Sequence, residues 1–395
     1  MGSRPELKVD DESGFIRFFR SLPDTGNDTI RIFDRGDYYT AHGEDAVLIA
    51  RTVYRTTSVI RPLGRDPGLD SVTLSITVFR NFIREALFKL GKRIEVWESS
   101  GRMNWKVAKT ASPGNLQDIE DDLGGQIESA PIILAVKVTA KASESRNVGV
   151  CFADASVREL GVTEFLDNDL YSNFESLLIQ LGVKECLIQA QPAKKDGDKP
   201  KKDVELEKLR QIADNCGCAV SERSAGDYAT RDIDQDLSRL LRDERALGVL
   251  PQTDLKLAMG SAAALIKYLG VLTDESNFGQ YQLYQHDLSQ YMKLDAAALK
   301  ALNLMPGPRD GSKTMSLYGL LNHCKTPVGG RLLAQWLKQP LMSVEEIEKR
   351  QQLVEVFVVD TELRQTLQEE HLRSIPDLYR LAKKFQRDKA NLEDV

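Results

Sequence analysis

The sequence predicts a protein of combined α/β and α class with several domains. Three observations carry that expectation. The chain has 395 residues, more than one ordinary domain holds. Its front two thirds alternate short β-branched runs with amphipathic helical stretches. Beyond about residue 289 the strand signals end and helix caps follow one another. The expected divisions are 1–125, a mixed α/β domain; 126–288, a second α/β domain; and 289–395, the beginning of an all-α domain.

In the first division, "TIRIFDRGDYYTAHG" alternates apolar and polar residues around Ile30, Ile32 and Tyr38, which reads as strands joined at Gly36. "EDAVLIARTVYR" reads as a helix burying Val47, Ala50 and Tyr54. "SVTLSITVFRNFIREALFKLG" begins as a strand and turns helical, with Phe79, Ile83, Ala86, Leu87 and Leu90 on one face and Gly91 as its stop. "RIEVWES" and "NWKVAKT" read as a hairpin around Ser99, Ser100 and Gly101.

The second division opens with the apolar strands "IILAVKV" and "VGVCFADA", and "VRELGVTEF" adds a third. A helix follows, with Leu170, Phe174, Leu177, Leu178 and Leu181 on one face, Asn168 or Asp169 as its cap and Gly182 after it. "ECLIQA" and "CAVSE" are further strands, with "VELEKLRQIADNCG" as a helix between them. Two more helices, at about 232–243 and 258–272, precede a last strand in "FGQYQLYQHDL". Strands followed by alternating helix and strand indicate an α/β sheet with a long connection.

In the third division, Thr326 and Pro327 cap a helix carrying Leu332, Leu333, Trp336 and Leu337, with Trp336 expected in the core. Ser343 to Glu346 forms a capping box before a helix expected to bury Ile347, Val354, Phe357 and Val358. The final helix begins at "IPDLYRLAKKF" and meets no cap or polar tail, so the chain reads as a fragment.

Charge is unevenly spread. The net charge is −6, yet between Arg17 and Lys109 there are 12 Arg and 4 Lys against 7 Asp and 4 Glu, an excess of +5 that leaves −11 for the remainder. A basic front on an acidic body points to an anionic partner for the front. No apolar run approaches the ~20 residues of a membrane-spanning helix. The first residues are charged and lack the apolar core of a secretory signal. Cysteines at 151, 186, 216, 218 and 324 form no CxxC pair and read as reduced thiols of the cytosol or nucleus.

Several segments then occur in a telling order: "FFRSLP", "RIFDRGDYYTAHGEDA", "ASPGNL", "SNFGQYQL", "QYMKLDAAALKALNL", "LLNHCKTPVGGRLLAQWLKQPLM" and "RQTLQEEHLRSIPDLYRLAKKFQR". Together they resemble the N-terminal part of a eukaryotic MutS-family DNA mismatch repair protein, over essentially the whole chain. The detailed wording, including "KKDGDKPKK", is similar to fungal members. The resemblance implies a mismatch-binding domain, a connector of RNase-H-like fold and the start of a helical lever. It implies binding to duplex DNA with mismatches or small loops, a heterodimer with a paralogous subunit, MutL-type partners and a nuclear location. It also implies ATP and magnesium in the full-length family member. No GxxxxGK[ST] phosphate cradle occurs in these 395 residues, so no cofactor and no catalysis are expected of this stretch.

The family reads mispairs with a Phe-x-Glu motif after a Gly-Asp; the ring wedges against the mispaired base while the acid bonds it. Here Gly36 and Asp37 match, but Tyr38 stands in place of phenylalanine and Thr40 in place of glutamate. A tyrosine ring can stack, but its buried hydroxyl needs a partner; threonine is too short to reach as glutamate does. The resemblance therefore implies a subunit that grips the backbone while its companion supplies the wedge. Candidate DNA-contacting residues are Arg35, Tyr38, Tyr39, Thr40, Arg55, Arg65, Lys106 and Lys109, with Arg61 in the same basic front. On the residues alone, Tyr38 and Tyr39 equally read as strand residues, one inward and one outward, the basic residues as a solvated face, and His42 as a turn or core histidine.

Two further readings stand beside this one. Asp154, with Glu175, invites a metal-dependent nuclease on the RNase-H-like fold, but such sites need several convergent carboxylates and the acids here are scattered. A plain interaction scaffold with no DNA role is the other. The stretch 194–202 reads as a charged surface loop or an import signal.

Overall fold

The computed structural model describes residues 5–7, 11–23, 28–65, 68–99, 104–123, 131–140, 145–154, 158–191, 203–242, 251–307, 312–386 and 391. Two compact units are present, Met1–Ile127 and Glu128–Val395.

The first unit runs α1 (Glu12–Ser21), β1 (Thr29–Asp34), β2 (Tyr38–His42), α2 (Glu44–Ile49), β3 (Arg61–Leu63), β4 (Leu69–Ser75), α3 (Ile76–Phe88), β5 (Arg93–Ser99), β6 (Trp105–Ala111) and α4 (Glu120–Leu123). Its strands form one sheet in the order β3-β4-β2-β1-β5-β6. Only β1 and β5 are parallel, because α2, β3, β4 and α3 lie between them in the chain. Alternation sorts the strand residues onto two faces. Ile30, Ile32, Tyr39, Ala41, Val72, Leu74, Ile94 and Val96 pack under α3 through Phe79, Phe82, Ile83, Ala86 and Leu87. The opposite face gathers Phe33, Trp97 and Trp105 against Phe15, Phe18 and Phe19 of α1.

α2 runs on into a wider, π-type turn over Ala50–Tyr54. Ala50 is buried as expected, whereas Val47 and Tyr54 are only partly covered and Leu90 is exposed. The centre of the β5–β6 turn, 100–103, lies outside the described residues.

The second unit begins with β7 (Ile132–Ala140), β8 (Arg146–Asp154), β9 (Glu159–Asp167), α5 (Ser172–Leu181), β10 (Val183–Gln189), α6 (Val204–Asn215), β11 (Ala219–Arg223), α7 (Ile233–Leu240), α8 (Lys256–Leu269) and β12 (Gln282–Gln285). The sheet order is β11-β10-β7-β8-β9-β12. β8 is antiparallel to both neighbours, while β10 and β11 run parallel to β7. Five strands ordered third-second-first-fourth-fifth with an antiparallel second strand make the RNase-H-like arrangement that the resemblance implied.

Helices cover both faces of this sheet. α5 and α6 pack on Leu134, Val136, Val148 and Val150; α7 and α8 pack on Ile133, Ala135, Cys151 and Val162. Gly182 ends α5 in the left-handed region as expected. The capping is shared: Asp167 accepts from the Asn173 and Phe174 amides at 3.1 and 2.9 Å, while Asn168 accepts from the amides of Leu170 and of Ser172, the first helical residue. Leu170 precedes α5 and is exposed rather than part of its buried stripe.

The same unit continues through α9 (Ala296–Ala301), α10 (Leu317–Leu321), α11 (Pro327–Lys338), α12 (Val344–Val359), α13 (Thr361–Thr366) and α14 (Leu378–Gln386). Thr326 and Ser343 cap α11 and α12 through the Gly329 and Glu346 amides. At the junction with the sheet layer, Gln339 Nε2 donates to the Gln180 carbonyl at 3.3 Å and Gln180 Nε2 donates to the Met292 carbonyl at 3.0 Å.

Two expectations for these helices need correction. Val354 and Val358 are exposed, with Ile347 and Phe357 only partly covered. Trp336 is likewise partly exposed and lies under the Arg350 guanidinium, 4.1 Å from its ring centroid, instead of in a core.

Gly149 on β8 is where α8 comes closest to the sheet. A Cβ there would sit 2.4 Å from the Ala258 amide nitrogen, and Ser261 Oγ donates to the Gly149 carbonyl at 2.8 Å. Backbone cannot give way as a side chain does, so Gly149→Ala is expected to destabilise the second unit by about 3 kcal/mol, read as a lower urea midpoint.

Candidate nucleic-acid interface

Tyr38 to His42 form β2 because the Asp34-Arg35-Gly36 turn fixes its start. Gly36 takes φ +88°, its amide donates to Asp34 Oδ1 at 2.7 Å, and the Arg35 amide donates to the Tyr38 carbonyl at 2.9 Å. The two tyrosines then part company. Tyr39 turns toward α3 and stacks on Phe79 with ring centroids 3.8 Å apart. Burial, aided by the Asp34 charge, pushes its hydroxyl up to about 12. Tyr38 lies on the other face and stays half-exposed.

Thr40, on the same side as Tyr38, is fully buried. Its Oγ1 accepts from Arg35 Nε at 3.2 Å and lies 3.0 Å from His42 Nε2. Nδ1 of His42 lies 2.7 Å from Ser71 Oγ, which donates to the Leu69 carbonyl at 2.9 Å. With the ring neutral, one arrangement serves every contact: Arg35 donates to Thr40, Thr40 donates to Nε2, and the Nδ1 proton goes to Ser71. Burial and the nearby Arg35 charge both hold the imidazole pKa well below the ordinary value. The Arg35 guanidinium is itself enclosed, 4.4 Å from the Phe15 ring centroid and 4.7 Å from that of Trp105.

The structure thus divides the candidates. Tyr39 and Thr40, expected to face DNA, are core residues, because β2 is covered on both faces. Arg35 is committed to an aromatic clamp. Lys109 pairs with Asp122 at 2.9 Å. Arg55, Arg61 and Arg65 are exposed and, among the described residues, form no ion pair. They surround β3 at one edge of the sheet, whereas Lys106 and Lys109 lie on β6 at the other. The basic front is therefore two groups, not one. His42 is a core histidine. The elements that sequence reasoning missed are α1 and the relay under it; Asp11, whose side chain accepts from the Gly14 amide at 2.9 Å, and the Phe15/Phe18/Phe19 spacing were the available signals.

In the second unit, Glu175 is half-buried on α5, and Asp154 lies at the end of β8 with its side chain outside the described set. Among the described residues no three His, Cys, Asp or Glu come together as metal ligands. Glu185, a fully buried carboxylate of the sheet, is held by hydroxyls: Ser221 Oγ and Tyr268 OH donate to it at 2.5 and 2.6 Å. The loop 194–202 lies outside the described residues.

Comparison with known proteins accounts for both units. Residues 13–120 match MutS domain I, 131–282 match MutS domain II and 297–395 match MutS domain III. The chain belongs to the MutS family. Over its whole length it is 77% identical to DNA mismatch repair protein msh-2 of Neurospora crassa and 40% identical to DNA mismatch repair protein MSH2 of Saccharomyces cerevisiae. Over 91% of its length it is 27% identical to DNA mismatch repair protein MutS of the bacterium Caldanaerobacter subterraneus. It spans 42%, 43% and 39% of these three relatives. The likeness to a eukaryotic, fungal MutS protein is thereby borne out. In this setting the position of the family's glutamate is taken by a threonine whose hydroxyl is spent inside the domain.

Neutrality of His42 gives a measurable sign. The unfolded chain takes up a proton near pH 6.5 that the folded chain refuses, so this group's contribution to stability falls as pH drops below 6.5. Asp45, which burial raises to about 6, acts in the opposite direction over the same range. Thermal unfolding from pH 7.5 to 5 is therefore expected to show acid destabilisation that shrinks or reverses in His42→Gln, which keeps two hydrogen-bonding ends without a titrating one.

Proposed function

We propose that this chain is the DNA-holding front of a mismatch repair recognition subunit, gripping duplex DNA through phosphates while leaving the reading of the mispair to a companion. The observation that carries this is the pairing of exposed Arg55, Arg61 and Arg65, which form no ion pair among the described residues, with an internally consumed Thr40. Arginines aimed at solvent supply charge-assisted bonds to phosphate without sequence preference. A half-exposed Tyr38 followed two residues on by Thr40 offers a ring without the acid of the pair.

Relatives of the chain carry the name DNA mismatch repair protein, which supports the process. The proposed duplex ligand contains a mismatch or small loop, whose easier bending favours binding even without base contacts. The proposed companion is a paralogous MutS subunit in a heterodimer, with the second unit's surface offered to MutL-type proteins, in the nucleus. ATP and magnesium are assigned to the part of the relatives that this chain does not span. Its own 395 residues contain no phosphate cradle of the GxxxxGK[ST] type, so no step here runs through them.

The test is fluorescence anisotropy of the chain with matched and G·T duplexes across salt. With three phosphates neutralised, affinity is expected to fall about 40-fold between 50 and 200 mM salt, with under about twofold preference for the mismatch. Replacing Arg55, Arg61 and Arg65 together by alanine is expected to flatten the logarithmic salt slope by about 3. Negligible, salt-insensitive binding would favour the scaffold reading. Sharp mismatch discrimination by the lone chain, abolished by Tyr38→Ala, would overturn the division of labour.

A further inference from the structure

Substitution explains why position 40 carries no acid; it does not explain whether an acid there could work. We infer that position 40 is a structural lock on specificity: α1 and the Arg35 guanidinium roof it so completely that a side chain placed there cannot reach a DNA base, whatever its chemistry. This deepens the proposed function and rests on it.

A ring-plus-acid reader needs residues i and i+2 of one strand on the same open face. Tyr38 and Thr40 do share a face, since Tyr39 and Ala41 between and beyond them pack under α3. Only the first of the two positions is open. Over the second converge three separate pieces of chain. The β1–β2 turn brings Arg35 Nε to Thr40 Oγ1. α1 brings Phe15, itself 4% exposed, against both the Arg35 guanidinium and the His42 ring, the latter at 4.7 Å between centroids. β6 brings Trp105 to the guanidinium and 5.6 Å from Phe15.

A glutamate in this enclosure would meet Arg35 before it met solvent. The charge-assisted bond between them would hold the carboxylate inside and tighten the roof. The domain's failure to read is thus built into its tertiary packing, and restoring the family's Phe-x-Glu pair would not restore reading. Arg35, Phe15 and Trp105 are positioning residues for this property; none of them is assigned a DNA contact.

Thiol labelling separates the lock from DNA binding. In a Cys324→Ser background, which removes the exposed native thiol, Tyr38→Cys and Thr40→Cys are treated with a maleimide under native conditions, with circular dichroism confirming the fold. Tyr38→Cys is expected to react faster than Thr40→Cys by about tenfold or more, and Arg35→Ala added to Thr40→Cys is expected to erase most of that protection. Comparable labelling of the two folded variants would overturn the lock. The second arm is Tyr38→Phe/Thr40→Glu in the full chain: its mismatched-to-matched affinity ratio is expected to stay within about twofold of the parent, and a rise of about tenfold would overturn the inference. Loss of all duplex binding by the parent would defeat the proposed function instead, while the labelling rates would still judge the lock.

Discussion

The guanidinium of Arg35 between Phe15 and Trp105 is the contact on which the front unit depends. The hairpin turn, the first helix and the edge strand meet around it. A desolvated cation against aromatic faces contributes about 2 kcal/mol. Here the same group also orients a hydroxyl, and the hydroxyl orients an imidazole. With the imidazole neutral, the donors run from Arg35 through Thr40 and His42 to Ser71. A buried member left without its partner costs its desolvation in full. Such a network resists partial change, so the strand that carries Tyr38 is held in a single register.

Much of this architecture could be read from the residues, but not evenly. α3, α5 and the β5–β6 hairpin followed from period and punctuation, because each is decided by neighbours in sequence: Phe79, Ile83 and Ala86 on one stripe, Gly182 after another. The second sheet's strand content was legible too; its order was not a property of any segment, and came from the family likeness. The site was harder. That Tyr39 points inward and Tyr38 outward was an even choice from alternation alone, since the decision lies with Phe79, forty residues away in the chain. The burial of Thr40 depends on Phe15 and Trp105, from opposite ends of the domain, and no local pattern announces it. α12 failed in the opposite sense. Its period correctly marks an apolar face, but period cannot say what, if anything, lies against it.

The distribution of positive charge follows from the sheet. Because β3 and β6 are the two edges, arginines flanking one cannot join lysines borne by the other, whatever their proximity in the sequence. Lys109 is further neutralised by Asp122. A summed charge of one sign across a domain is thus a poor guide to a patch. What matters is which cations remain after internal pairing; among the described residues these include Arg55, Arg61 and Arg65 around β3 and Lys106 on β6.

The bonds from Gln339 to the Gln180 carbonyl and from Gln180 to the Met292 carbonyl carry a mechanical consequence. Gln180 is the penultimate residue of α5, which lies flat on the second sheet; Gln339 caps α11. Their side chains bond backbone carbonyls, and both are buried. Backbone-anchored bonds of this kind leave little slack for a hinge. Torque applied along α11 would pass into the sheet layer as a rigid rotation, making the junction a transmission coupling and leaving compliance to be found elsewhere in the chain.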